Sequence, residues 1–175
     1  MAEDETDILL FPLLRAGWAR RGVEWEVPIS GKNARRVVFG ALNLRSGHRL
    51  WDVRDRQKAE DFQVFLDLVR ERYRRGPVAL LLDEDSSHTD ASSQSLADDL
   101  DIGLIWLPKR APKLNPLDTL WGQVKDPISA NFQHETVDHH VARFLDYLVS
   151  LSPAQALRLA GIRSKNFWLS SILCK

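Results

Sequence analysis

Two aspartates stand where a fold can make them act together. Asp83 ends the apolar run Val78-Ala-Leu-Leu-Leu82, and Asp118 follows Asn115-Pro116-Leu117, with thirty-four residues between the two acids. A continuous apolar run of that length reads as a strand buried on both faces. Asn115 is a favoured helix N-cap and Pro116 suits the first helical position. Leu117, Leu120, Trp121 and Val124 then repeat at helical spacing, which puts Asp118 in the first turn. Pro108, Pro112 and Pro116 stiffen the approach to that helix. In parallel α/β sheets the functional crevice lies at the carboxyl ends of the strands, where two such acids can face each other. Paired carboxylates there suit either metal binding or acid–base work. Each acid also has a plainer reading: Asp118 answers the helix dipole, and Asp83 simply leaves the core for solvent.

Composition narrows the classes. The chain has 175 residues, 44% of them hydrophobic and 27% charged, which describes an ordinary globular protein of about one domain. No apolar run approaches the roughly 20 residues that cross a bilayer, and the acidic start does not resemble a signal peptide. One cysteine, Cys174, excludes an internal disulfide framework and a cysteine-built zinc site, and fits a reducing, cytoplasmic setting. The five histidines show no HExxH spacing. Twenty-four basic and twenty-four acidic residues cancel, but unevenly along the chain. Arg15, Arg20, Arg21, Lys32, Arg35 and Arg36 crowd one stretch, whereas Asp83 to Asp101 holds seven acids and no lysine or arginine. A basic region beside an acidic centre suits a nuclease that grips a polyanion and holds metal ions, although solvated faces segregate charge in the same way.

The elements that must position the acids follow from periodicity. Met1 to Asp7 is short and acidic, by default a frayed terminus. Val23 to Val27 alternates as a strand, Arg36 to Asn43 reads as a second, and Leu50 to Val53 as a third, in an antiparallel meander. Lys58 to Arg75 is helical and stops at Gly76-Pro77; the buried strand to Asp83 follows. A helix over Ser92 to Leu100, a buried strand over Ile102 to Trp106, the helix at Asn115, a helix over Val137 to Ser150 and a capped helix from Ser152-Pro153 complete the order. The six tryptophans read as core and interface residues. Three meander strands followed by alternating helices and parallel strands make a mixed α/β fold, with helices on both faces of the sheet. This is the order of the ribonuclease-H-like fold.

The residues also match a family. Asp4-Glu5-Thr6, Phe11 to Trp18, Arg36 to Asn43, Leu81-Leu-Asp83 with Ser86 and His88, Leu107-Pro108 through Asn115-Pro-Leu-Asp118 with Trp121 and Lys125, and Ala160 to Trp168 together resemble the DDE-type transposases of the mariner superfamily, in their bacterial insertion-sequence branch. The Asn-Pro-x-acid-x-x-Trp-x-x-x-Lys signature is specific, and the Asp83–Asp118 spacing is the one that superfamily uses. The resemblance implies a ribonuclease-H-like catalytic domain in which Asp4, Asp83 and Asp118 bind two Mg²⁺ or Mn²⁺ ions. It implies cleavage and strand transfer of double-stranded DNA, at element ends and at a target. It makes His88 and Lys125 supporting groups. Glu84 stands where the family has asparagine, either crowding the site or offering a fourth ligand. Arg15, Arg20, Arg21, Arg35 and Arg36 are candidates for phosphate contact.

The same resemblance places Asp4 on a central strand, here expected to be shortened. It makes residues 1–175 a single catalytic domain, an amino-terminally truncated copy without the upstream helix-turn-helix domain. The expected setting is the bacterial cytoplasm, near the nucleoid and away from membranes, with a homodimer or pairing with a full-length transposase. The rival expectation is a catalytically inert remnant that at most binds DNA or a partner. A small hydrolase using paired carboxylates fits the acids but leaves the Asn-Pro-x-Asp helix entrance unexplained.

Overall fold

A computed structural model describes residues 1–18, 20–22, 26–109 and 111–173. Its centre is a five-stranded sheet in the order β3-β2-β1-β4-β5, formed by β1 (Ala2–Leu9), β2 (Arg35–Leu42), β3 (Arg49–Arg54), β4 (Val78–Leu82) and β5 (Ile102–Trp106). β1 to β3 pair antiparallel, whereas β1–β4 and β4–β5 pair parallel. Around the sheet lie α1 (Ala59–Arg72), α2 (Ser86–Thr89), α3 (Ala91–Asp99), α4 (Pro116–Ser129), α5 (Val137–Ser150), α6 (Pro153–Leu159) and α7 (Ser170–Leu173). The mixed ribonuclease-H-like architecture expected from the sequence is present, with helices on both faces.

The first strand departs from expectation. Met1 to Asp7 is not a frayed terminus: β1 is the middle strand, paired with β2 along all eight of its residues, from Ala2↔Leu42 to Leu9↔Arg35. Its parallel pairing with β4 is confined to Ala2↔Leu81. The meander is therefore β1-β2-β3. In the stretch read as a strand over Val23 to Val27, residues 23–25 lie outside the described residues, and Glu26 and Val27 are not in a strand. Acidic strand interiors run against β-propensity, and neighbouring strands override that preference here.

Strand alternation divides the core in two. Val38 and Leu42 of β2 pack with Leu117, Leu120, Trp121 and Val124 of α4 and Val141, Phe144 and Leu148 of α5. Val37, Phe39 and Ala41 face the other way, onto Phe62, Phe65, Leu66 and Val69 of α1. Gly40 sits on the α4 face because the Trp121 ring lies where a Cβ would be. Trp121 is buried and Trp51 packs partly buried against the same cluster, whereas Trp18, Trp106 and Trp168 are exposed and Trp25 lies outside the described residues.

Behind β1, His140 of α5 is 2% exposed. Its Nδ1 lies 2.9 Å from the Leu9 carbonyl, its Nε2 2.7 Å from Ser129 Oγ, and its ring stacks on His134 at 4.2 Å. Burial, and then the charge of His134, push His140 down to about 4. A base whose folded pKa is depressed contributes stability that is complete above its unfolded value and is lost as pH falls through the folded one. We expect unfolding free energy to drop by about 3 kcal/mol between pH 6.5 and pH 4 on account of this group. Urea titrations across that range should show His140→Asn, which keeps a donor for Leu9, with a correspondingly flatter pH slope than the parent.

Candidate active site

β1 carries acids on both faces, and strand alternation sorts them. Asp4 shares the α4 face with Ala2 and Ile8, whereas Glu3 and Glu5 point to the α1 side. The Ala2↔Leu81 register sets Asp4 beside Asp83, just past the end of β4. Asp118 reaches the same place from α4. Its approach is a 3₁₀ turn over Pro112–Leu114 that hands the chain to Asn115. Asn115 is 2% exposed and uses both ends of its amide. Oδ1 accepts from the Leu117 N–H at 3.0 Å, capping α4, and Nδ2 donates to the Glu3 carbonyl at 2.7 Å, tying the helix entrance to β1. The cap was legible in the sequence; the bond to β1 was not, because it spans 112 residues.

Asp4, Asp83 and Asp118 line one cleft of about 90 Å³, closed by Leu107, Pro108, Ala111, Pro112 and Asn115. A larger open groove of about 770 Å³ lies at the other end of β4, lined by Leu50, Leu68 and Glu71 to Arg75, with one carboxylate among three arginines. The electrostatics of the small cleft are those of crowded acids. Asp4 is pushed up to about 8, chiefly by burial and then by the charges of Glu5, Asp118 and Asp83. Burial also raises Asp118, opposed by Lys125. Asp83 is held low, first by its hydrogen bond from His88 and further by the Asp85 N–H. Carboxylates that resist sharing negative charge, gathered on a small polar cleft, make a donor set suited to a hard divalent cation. By that test of chemistry the residues fit Mg²⁺ or Mn²⁺.

The supporting residues fall out differently. His88 is not a surface histidine: it is 1% exposed, and its Nδ1 lies 3.1 Å from Asp83 Oδ1 and 3.1 Å from the Asp83 carbonyl. Lys125 is depressed by burial and counter-raised by Asp7, Asp4 and Asp118, so its ammonium sits within the field of the cleft acids. Glu84 pairs with Lys109 at 3.1 Å and does not line the cleft. Of the five arginines considered for phosphate contact, Arg15 pairs with Asp126 at 2.8 Å and Arg35 with Asp7 at 3.5 Å. Arg36 pairs with Asp138 at 3.0 Å and Asp55 at 3.3 Å. Arg20 and Arg21 are exposed. None of the five lines the cleft. Glu3 and Glu5 were missed by reading the sequence, although the period-two spacing around Asp4 was the available signal.

The DDE superfamily endonuclease model matches residues 2–139. The chain belongs to that family. A curated relative, the insertion element IS630 uncharacterized 39 kDa protein of Shigella sonnei, is 27% identical over 153 residues, covering 86% of this chain and 45% of its own length. The chain thus spans about half of the curated relative it matches. Among solved structures, a pre-cleavage Mos1 transpososome superposes with a TM-score of 0.73 at 14% identity, covering 99% of this chain and 54% of that one. The Mos1 paired-end complex with Mg gives 0.72 at 16% identity, with 99% and 54% covered. The isolated Mos1 catalytic domain gives 0.62 at 15%, with 91% and 74% covered. At such identities these likenesses establish the ribonuclease-H-like fold alone.

Asn115 generates a test of how that fold holds its cleft. Asn115→Ala removes a cap, worth about 0.5–2 kcal/mol, and strands the Glu3 carbonyl, worth about 1–3 kcal/mol. We expect urea unfolding to show a loss of about 2–4 kcal/mol. Asn115→Asp, which keeps the cap acceptor and loses the donor, should fall between that variant and the parent.

Proposed function

We propose that this chain is the catalytic portion of an insertion-sequence transposase, which cuts DNA at the element's ends and joins the freed 3′ ends to target DNA. Asp4, Asp83 and Asp118 would hold two magnesium or manganese ions. The observation that carries the reading is convergence. Three acids from a central strand, a strand end and a helix entrance line one cleft in a DDE-family fold. Bound there, divalent cations would supply activation of an attacking hydroxyl and stabilisation of the leaving oxygen.

The chain's own groups have definable parts. His88 keeps Asp83 ionised and oriented, because its N–H faces both an oxygen of that carboxylate and the Asp83 carbonyl. Lys125 offers Asp7, Asp4 and Asp118 a common positive charge. Pro108 and Pro112 hold the cleft wall stiffly against the entering backbone. Lys113 and Lys109, the latter paired with Glu84, are exposed on that wall segment and offer positive charge to a phosphodiester chain in a sequence of zero net charge. The Mos1 structures include a complex with the left transposon end and paired-end complexes with Mg and with Mn, partners of the kind proposed here for this chain. The chain covers 45% of the curated relative and 54% of the pre-cleavage Mos1 chain, and a helix-turn-helix module is the proposed reader of the element's ends. Pairing of two copies across two ends is part of the same proposal.

The test is nicking of supercoiled DNA bearing the element's ends, by this chain joined to an end-reading helix-turn-helix domain. Nicking should require Mn²⁺ or Mg²⁺ and stop with EDTA. Asp83→Ala and Asp118→Asn should each lower the rate by about 10²–10³-fold, as expected when a transition state loses an electrostatic partner. Wild-type rates in either folded variant would remove that aspartate from the chemistry.

A further inference from the structure

The other face of β1 carries a second cluster. Glu3 and Glu5 meet His88 of α2, with side chains 0%, 6% and 1% exposed. His88 Nε2 lies 3.0 Å from Glu5 Oε1 and 3.4 Å from Glu3 Oε2. The Phe62 ring, 4.5 Å from the imidazole between centroids, packs against it. Among the described residues, this is the group of histidines, cysteines and acids whose ligand atoms all fall within 4.8 Å of one another; the cleft aspartates are not drawn so close.

With protons alone, the single Nε2 can serve only one of the two glutamates. Nδ1 faces two acceptors of Asp83 and therefore carries a hydrogen, which leaves Nε2 to face two carboxylates. A second proton on Nε2 is satisfied by Glu5, the nearer acceptor. Glu3 then has no partner, and neither of its buried oxygens accepts or donates a hydrogen bond. A lone buried carboxylate costs several kcal/mol, and a proton placed on it finds no acceptor in Nε2 while Nε2 carries its own hydrogen. A divalent cation resolves both problems by neutralising two carboxylates and taking the Nε2 lone pair. The Nε2–oxygen separations of 3.0 and 3.4 Å are those of neighbouring ligands around a metal at bond lengths of about 2.0–2.1 Å. A metal-bound histidine characteristically gives its other N–H to a carboxylate, the role Asp83 fills here. An imidazole with two carboxylates in a dry pocket favours zinc-like ions over magnesium, which keeps its waters.

We propose that Glu3, Glu5 and His88 form a buried site for one zinc-class divalent ion, separate from the Asp4–Asp83–Asp118 cleft and joined to it by the His88–Asp83 hydrogen bond. The ion would lock β1 to α2 and, through the imidazole, set the orientation of Asp83. The site does not depend on the proposed transposase chemistry, so the two can fail separately.

The experiment uses the Asp4→Asn/Asp118→Asn double variant, in which two of the three cleft acids are gone. After stripping with EDTA and equilibration with Zn²⁺, elemental analysis should find about one zinc per chain. X-ray absorption of that zinc should show one imidazole among oxygen ligands. Glu3→Gln in the same background should weaken Zn²⁺ by more than the about 10–100-fold typical of losing an outer-shell partner. Less than a tenth of an equivalent of zinc in the folded double variant, or an oxygen-only shell, would overturn the proposal. So would unchanged affinity in Glu3→Gln. The absorption spectrum decides the matter even if Glu3→Gln does not fold.

Discussion

The structure depends on how a strand that carries four acids survives at the middle of a sheet. Glu3, Asp4, Glu5 and Asp7 occupy half of β1, and two of them are all but sealed from solvent. Charges cannot be buried there without partners, and the partners organise the surroundings. His88 hydrogen-bonds Glu5 at 3.0 Å and stands 3.4 Å from Glu3, and the same ring reaches the end of β4 to hold Asp83. The field of the carboxylates shows in the imidazole itself, which is pushed up to about 12 against the opposing effect of burial. One side chain thus ties β1, β4 and α2 together at the place where the chemistry is concentrated.

The opposite face works by backbone rather than by charge. Asn115 takes a carbonyl of β1 and an amide of α4 in one side chain, which fixes the first turn of the helix against the strand bearing Asp4. Trp121 then locks the helix in register by lying over Gly40, and Val124 and Leu120 continue that stripe into the core with Phe144. Asp118 is consequently placed by packing that begins one turn away from it. Trp168 adds a further tie, donating from Nε1 to the Leu114 carbonyl at 3.1 Å, so the segment after α6 braces the entrance to α4. The cleft stays small because its walls are prolines and capped backbone rather than long side chains.

What was legible in the sequence follows the physics of each element. β5 and α5 have the bounds read from apolar runs and helical spacing, and the other helices and strands from β2 onward lie within a few residues of theirs, except the short α2 and α7, which no spacing announced. The Asn115-Pro116 cap announced α4 and placed Asp118 in its first turn. β1 was not legible from pattern, since an acidic strand looks like a solvated tail until its neighbours are known; only the family resemblance put Asp4 on a strand. His88 was legible as a neighbour of Asp83 but not as a buried one, because its burial comes from Phe62 on a separate helix. Glu3 and Glu5 escaped for the same reason, as alternation has meaning only once a segment is known to be a strand. The arginines show what charge runs leave open: they suggest a partner, and three of the five pair with nearby acids, exposed pairs that carry little stability either way.

The central claim is that Asp4, Asp83 and Asp118 form a single cation-binding cleft. The most direct measurement is anomalous diffraction from crystals of this chain equilibrated with Mn²⁺. The account predicts manganese density in the cleft with carboxylate oxygens of all three aspartates at about 2.0–2.2 Å. A cleft without manganese, or manganese held there by neighbours that do not include Asp4, would contradict it.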